Sequence, residues 1–331
     1  MIKVGLLSAA HMHVGSYAHQ LNQLPKVQIT GLWDDNAKRR EECANAFGCP
    51  AAESAASVIA ASDALVICSE NINHRPLLEQ VLQAGTPKFV LCEKPLATTA
   101  ADARVMVDAT IAGGSSLFTA FPCRFSPAFQ RLVSVVRNGD LGEILAVRGT
   151  NHGKCPFGWF VEKALSGGGA VMDHTVHVTD LLRVLLQTEC ATVFCEADNR
   201  MLHRDFDDTG FLALGFENGV FATLDASWSR PKTFTTWGDV TLSVVGTKGF
   251  IDLDMFNQQS LLYNDRTGSV SYSGWGSDID GGLIRAFVQS LETGEPHPEI
   301  ATGVDGLRAV EVVEAAYRSV GSHQVEAVVH L

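Results

Sequence analysis

No two of the eight cysteines stand at the C-x-x-C spacing of a zinc ribbon or a redox dithiol. They fall at 43, 49, 68, 92, 123, 155, 190 and 195, mostly inside apolar runs, and read as reduced core thiols rather than a disulfide frame. Positive charge is scarce too. There is no Lys/Arg-rich block, and a formal net charge of −12 excludes the basic surface that nucleic acid or an anionic membrane would require. No stretch approaches the roughly 18 apolar residues of a membrane span. The opening MIKVGLLSAA runs too soon into His11 and His13 to serve as a signal h-region, so a cytoplasmic protein is expected. Internal repeats, low-complexity tracts and an acidic tail are also lacking, which leaves an ordinary globular chain.

What the chain does have is length and pattern. With 331 residues and domains running to about 100–200 residues, two domains are expected. In the first third, short apolar runs alternate with helical patterns. Strands are predicted over 4–7, 27–33, 64–68, 89–92 and 116–121, separated by helices over 14–24, 37–47, 74–84 and 100–112, with a short one near Ala55. That is a βαβ series on a Rossmann plan. After about residue 122 the pattern changes. Helices over 127–138 and 169–186 alternate with long β-rich segments, and E-N-G at 217–219 and G-T-K-G at 246–249 mark hairpin turns. Helices over 283–291 and 306–319 close the chain. The expected fold is therefore α/β, with an N-terminal Rossmann parallel sheet over residues 1–121. A C-terminal α+β domain with a large mixed or antiparallel sheet is expected over 122–331, for substrate binding and oligomerisation. Runs such as 211–216 and 220–224 hold more apolar residues than one helical layer would cover, and a homodimer or homotetramer is expected.

A dinucleotide site needs backbone amides at the start of the first helix to approach a pyrophosphate, and its turn normally reads G-x-G-x-x-G. Here it reads Ser8, Ala9, Ala10, His11, Met12, His13, with two glycines replaced by Ser8 and Ala10. Small residues persist where the backbone must come close. Asp34 ends the second predicted strand, where a carboxylate can accept hydrogen bonds from a ribose diol and repel a 2′-phosphate. NAD is the expected cofactor. Lys38, Arg39 and Arg40 keep NADP open, and the alternative for Asp34 is a helix N-cap.

F-V-L-C-E-K-P at 89–95 and G-G-G-A-V-M-D-H-T-V-H-V-T-D at 167–180 together resemble the Gfo/Idh/MocA oxidoreductases. The likeness continues through N-I-N-H at 71–74, A-G-T-P at 84–87, C-R-F-S-P at 123–127, G-x-L-G-E-I at 139–144, F-E-N-G at 216–219 and V-V-G-T-K-G-F at 244–250. The resemblance implies a catalytic trio of Lys94, Asp173 and His177. Lys94 would hold the reacting oxygen, and Pro95 would fix the turn, as a cis bond if needed. Asp173 and His177, four apart on a predicted helix, would share a face and move the hydroxyl proton. It also places Asn71, Asn73, His74, Glu93 and Arg124 beside the cofactor. Taken singly, each has a plainer reading: a loop lysine, a half-buried Asp–His pair, a helix cap at His74, a surface salt bridge at Arg124. Among the apolar neighbours of its helix, Asp180 reads as structural.

Histidines in the turn and at His174, beside Asp173, depart from the family's usual pattern, so substrate contacts of a different kind are expected. His152, Trp159, Phe160, His174 and Arg230 are candidate substrate contacts, aromatic faces suiting sugars and a guanidinium suiting an anionic substituent. A metal held by His174 and His177 with Asp173, His152 or Cys123 follows no recognised spacing, and none is expected. The expected activity is hydride transfer between a sugar, polyol or sugar-derivative hydroxyl and the nicotinamide. The alternatives are a glycoside hydrolase or lyase that uses NAD transiently, and a nucleotide-sensing regulator.

Overall fold

The computed structural model describes residues 1–86, 88–274 and 276–331. Pro87, which closes A-G-T-P, and Trp275 lie outside the described residues. The first part of the chain runs β1 (Ile2–Leu7), α1 (Val14–Gln23), β2 (Val27–Trp33), α2 (Ala37–Phe47), α3 (Ala55–Ala61), β3 (Ala64–Ile67), α4 (His74–Gln83), β4 (Phe89–Cys92), α5 (Ala100–Ala112) and β5 (Ser116–Thr119). Its strands form a five-stranded parallel sheet in the order β2-β1-β3-β4-β5. β3 is buried at every position, as a short apolar run must be when helices cover both faces of a sheet.

The remainder runs α6 (Pro127–Arg137), β6 (Ile144–Gly153), α7 (Lys163–Ser166), α8 (Ala170–Leu186), β7 (Cys190–Asp198), β8 (Thr209–Phe216), β9 (Phe221–Asp225), β10 (Gly238–Gly246), β11 (Gly249–Asp254), β12 (Gln259–Asn264), β13 (Ser269–Gly274), α9 (Ile279–Thr293), α10 (Gly303–Ser322) and β14 (Glu326–Ala327). Seven of these strands form a mixed sheet in the order β11-β10-β6-β9-β8-β7-β14, with β6 and β9 parallel. The turns after β8 and β10 close antiparallel hairpins where E-N-G and G-T-K-G stand. Leu212, Leu214 and Phe216 of β8 point into a core shared with α8 and α10, while Phe211 points outward. β12 and β13 form a separate exposed hairpin.

Two helices from the end of the chain return to the first sheet. Leu283, Ile284 and Phe287 of α9 pack into one of its cores, and Leu307 and Val310 of α10 into the other. All eight cysteines are free. Among the described residues no helix is long and apolar enough to cross a membrane.

Candidate active site

Open α/β sheets bind ligands beyond the carboxyl ends of their strands, where the strand order reverses. Here the reversal lies between β1 and β3. Ser8, just past β1, has a φ of +70°, the left-handed region that glycine usually supplies in this turn. Asp34, at the end of β2, secures it: Oδ2 accepts from Ser8 Oγ at 2.9 Å, Ala9 N at 2.7 Å and Arg39 Nε at 2.9 Å, and Oδ1 accepts from Asn36 N at 2.8 Å. Burial opposes the charge on Asp34, but Arg39 and the amides of Ala9 and Asn36 outweigh it and hold the carboxyl below its ordinary range. Asp34 is completely buried, and the helix-cap reading of it is corrected. Its oxygens are occupied by the protein, and the cap of α2 is Asn36.

Ala9 N–H, expected for a pyrophosphate, is likewise spent on Asp34, Ala10 N–H lies 3.2 Å from Ser8 Oγ, and His11 N–H donates to Cys68 O at 2.9 Å. Met12 N–H keeps no partner among the described residues. On one side of the turn, Ser8, Asp35, Ser69, Glu70 and Asn73 line a hollow of about 130 Å³. Asn73 Nδ2 donates to Glu70 Oε2 at 3.1 Å.

On the other side lies a cavity of about 530 Å³. His11, Met12 and His13 reach it from the turn, Lys94 from the end of β4, and Asp173, His174 and His177 from α8. The α8 side chains are presented by the glycine triplet before them. Gly167 has a φ of +83°, and a Cβ on Gly168 or Gly169 would overlap the Tyr317 hydroxyl or the Asp207 carbonyl. Asp207 closes the helix start, accepting from Gly169 N at 3.1 Å and Val171 N at 2.8 Å. The same carboxylate accepts from the Tyr317 hydroxyl at 3.0 Å.

Lys94 Nζ donates to Asp173 Oδ1 at 2.6 Å, with both side chains largely buried. Asp173 Oδ2 accepts from Trp228 Nε1 at 3.2 Å and lies 3.3 Å from His174 Nε2. Asp173 is thus paired with Lys94, just beyond β4, and among the described residues no hydrogen bond joins it to His177. Burial would raise the Asp173 pKa, but Lys94 and His174 hold it far below the usual carboxylate range. Burial pushes His174 down to about 4 and His177 well below its ordinary value, Lys94 adding to the latter. His177 is therefore a neutral imidazole on the cavity wall. The Lys94–Pro95 peptide is cis.

Several expected site residues do other work. Arg124 forms a buried two-pronged pair with Asp180, at 2.7 and 2.5 Å, and faces a different hollow with Arg183. His74 is enclosed by the carbonyls of Pro95, Leu96 and Ser69 at 3.1–3.3 Å, bracing the chain behind Lys94. Asn71 donates to Ser166 O at 2.8 Å, tying its segment to α7. Trp159 donates to Ala10 O at 3.0 Å and stacks on Phe160 at 3.9 Å, and of the two Phe160 lines the cavity. Strand parity removes His152, and an ion pair removes Arg230. Gly153 faces α8, where an added Cβ would lie 2.5 Å from His174 Cε1, so His152 points to the opposite face of the sheet. There its ring nitrogens meet Asp225 at 2.8 Å and Asp239 at 2.9 Å, and Arg230 pairs with Asp239. Burial works against the charge on His152, but the two aspartates prevail and raise its pKa to about 9.

Lys154, Trp237, Phe256 and Asp280, not singled out in the sequence, also line the cavity. Lys154 directly follows the N-H-G end of β6, a signal that a strand-end reading could have used. Trp237, Phe256 and Asp280 come from loops and a helix start with no motif around them.

Comparison with known proteins settles the class. Residues 2–121 match the model described as "Oxidoreductase family, NAD-binding Rossmann fold", and residues 129–252 match the GFO/IDH/MocA C-terminal domain. The chain belongs to the Gfo/Idh/MocA oxidoreductase family. It is 30% identical over 268 residues to inositol 2-dehydrogenase 2 of Saccharopolyspora erythraea, covering 78% of this chain and 75% of that one. To myo-inositol 2-dehydrogenase of Thermotoga maritima it is 28% identical over 267 residues, covering 78% and 77%. GenD2 from gentamicin A biosynthesis, solved in complex with NAD, shares the fold at a TM-score of 0.89 and 24% identity, covering 99% of this chain and 97% of that one. As a member, the chain is an NAD-binding oxidoreductase that acts on hydroxyl groups. Its residues fit a dinucleotide: a tight turn lies between two openings at the strand ends, with Met12 N–H unspent between them.

Proposed function

We propose that this oxidoreductase is a reversible dehydrogenase of a sugar, polyol or sugar derivative, working on a hydroxyl held in the 530 Å³ cavity. The observation that carries the reading is Lys94 bonded to Asp173 at 2.6 Å on a wall that His177 shares. Lys94 holds the substrate oxygen and stabilises its developing negative charge. Asp173, anchored by Trp228, positions that ammonium. His177, kept neutral by burial, takes the hydroxyl proton. The bound dinucleotide supplies the hydride acceptor, and the protein supplies alignment.

The turn of Ser8, Ala9, Ala10, His11 and Met12 and the hollow with Asn73 make residues 1–121 the dinucleotide unit, with Glu93 and Lys94 at its reacting end. Residues 122–331 form the substrate unit. Phe160, Trp237 and Phe256 offer aromatic faces to the C–H face of a sugar ring, and His174 offers a hydrogen bond. Relatives named as inositol dehydrogenases favour a polyhydroxylated ring. The open face of the seven-stranded sheet, with Phe211, Phe221 and Phe250 exposed, serves a second subunit.

A panel of polyols, sugars and glycosides, followed both for NADH and for released aglycone, tests the reading. Stoichiometric NADH is expected. Aglycone release without net NADH would replace it with elimination chemistry, and tight NAD binding with neither product would make the chain a sensor.

A further inference from the structure

Neither His11 nor His13 has a part in the proton transfer proposed above, and the sequence reading expected no metal. The fold nonetheless brings both to one carboxylate. The turn from β1 into α1 carries the two histidines, the end of β4 carries Glu93, and the His11 N–H bond to Cys68 O at 2.9 Å holds the turn across the sheet edge. His13 Nδ1 lies 3.2 Å from Glu93 Oε1, and His11 Nδ1 lies 3.6 Å from the same oxygen. One donor atom from each of the three residues lies within 4.8 Å of both others. A tetrahedral zinc ion with bonds of about 2.0–2.2 Å spaces its donors about 3.3–3.5 Å apart, a spacing that falls between the two contacts to Glu93 at 3.2 and 3.6 Å.

The burial points the same way. Glu93 is fully buried, and its neighbour Lys94 is committed to Asp173 at 2.6 Å. Among the described residues its ion-pair partners are the two imidazoles alone. His11 is 1% exposed, and its Nε2 has no hydrogen-bond partner. Its Nδ1 is 3.3 Å from His13 N, a long contact that ligation could replace. A fully buried carboxylate faced by the Nδ1 atoms of two histidines brings three metal-ligand donors together at one point.

We propose that His11, His13 and Glu93 form a binding site for a divalent transition metal of the zinc class, opening onto the cavity that holds Lys94, Asp173 and His177. Two imidazoles and a carboxylate are a donor set of catalytic zinc, whereas magnesium and calcium prefer oxygen ligands. Because His11 and His13 line the cavity, an ion held there keeps a coordination position open toward it. The proposal concerns binding and does not depend on the dehydrogenase reading.

Metal-free full-length protein titrated with cobalt(II), and read by visible absorption and by metal content after dialysis, tests it. One equivalent is expected, with the intense visible bands of a four- or five-coordinate site. Affinity should fall in Glu93→Gln and His13→Ala by more than the about 10–100-fold that loss of an outer-shell partner costs. The exposed His203→Ala and His323→Ala should bind as the parent does. If Glu93→Gln does not fold, His13→Ala, whose side chain is 32% exposed, decides alone. No cobalt retained by the parent, or one equivalent retained unchanged in His13→Ala, overturns the site. NADH formation by the metal-free protein is scored separately, so failure of the site and failure of the dehydrogenase reading are distinguishable.

Discussion

At the scale of single residues, chemistry and scaffolding are divided between side chains that look alike in the sequence. His177 is the expected proton carrier, and His177→Ala should lower turnover by about 10²–10⁴-fold while NAD affinity stays nearly unchanged. Steady-state kinetics with calorimetric NAD titration checks this. A neutral His177 gains its proton only well below pH 6.5, so the acid limb of kcat/KM should lie below that pH and vanish in the variant. Lys94→Ala should also cripple turnover, because the substrate oxygen loses the ammonium that holds it and stabilises its charge. Asp34 belongs with the scaffolding. Asp34→Ala should weaken NAD by loosening the turn at Ser8 and Ala9, and should lower the melting temperature of the free protein as well; a ribose contact alone would leave that melt unchanged. The Lys94 and His177 positions were legible in the E-K-P and D-H-T-V-H motifs. The partner of Asp173 was not, since helical spacing shows which side chains share a face but not which strand end reaches them.

At the scale of elements, α8 is the part that aims the site. Its start is held by Asp207 and Tyr317, and no residue larger than glycine fits at 168 without moving the Tyr317 ring. Gly168→Ala should destabilise the protein by about 1–3 kcal/mol, the usual cost of overpacking, and reduce turnover because Asp173 and His177 move with the helix. Thermal melts beside kinetics read both effects, and unchanged values in both would show that the triplet is not needed for packing. The triplet was visible in the sequence. Its cause was not, because Asp207 is 38 residues from Gly169 and Tyr317 148 residues away.

At the scale of the whole molecule, the seven-stranded sheet has one face on α8 and α10 and the other open. That face shows Phe211, Phe221 and Phe250 at 60, 62 and 70% exposure, and His152 lies on it between Asp225 and Asp239. A dimer or tetramer is expected by light scattering at micromolar concentration, and Phe221→Lys should shift it toward monomer. His152 has a folded pKa of about 9, above its ordinary 6.5. Its stabilisation is therefore complete below about pH 6.5 and fades as pH rises through 9. Melting temperature should fall over that window in the parent and fall less in His152→Ala.

The amino-acid sequence by itself determined the class of the molecule. The periodicity of apolar runs, the turn after β1 and the E-K-P and D-H-T-V-H motifs are local, and local patterns set strands, helices and the residue types at their ends. Tertiary structure decided who meets whom. It buried Asp34, turned His152 to the far face through the two-residue period of β6, paired Arg230 with Asp239 from the segment after β9, bound Arg124 to Asp180, and brought His11 and His13 to Glu93, 80 residues beyond His13. Those outcomes depend on which strands lie side by side and on which buried charge finds its partner first, and neither is encoded within a window of neighbouring residues.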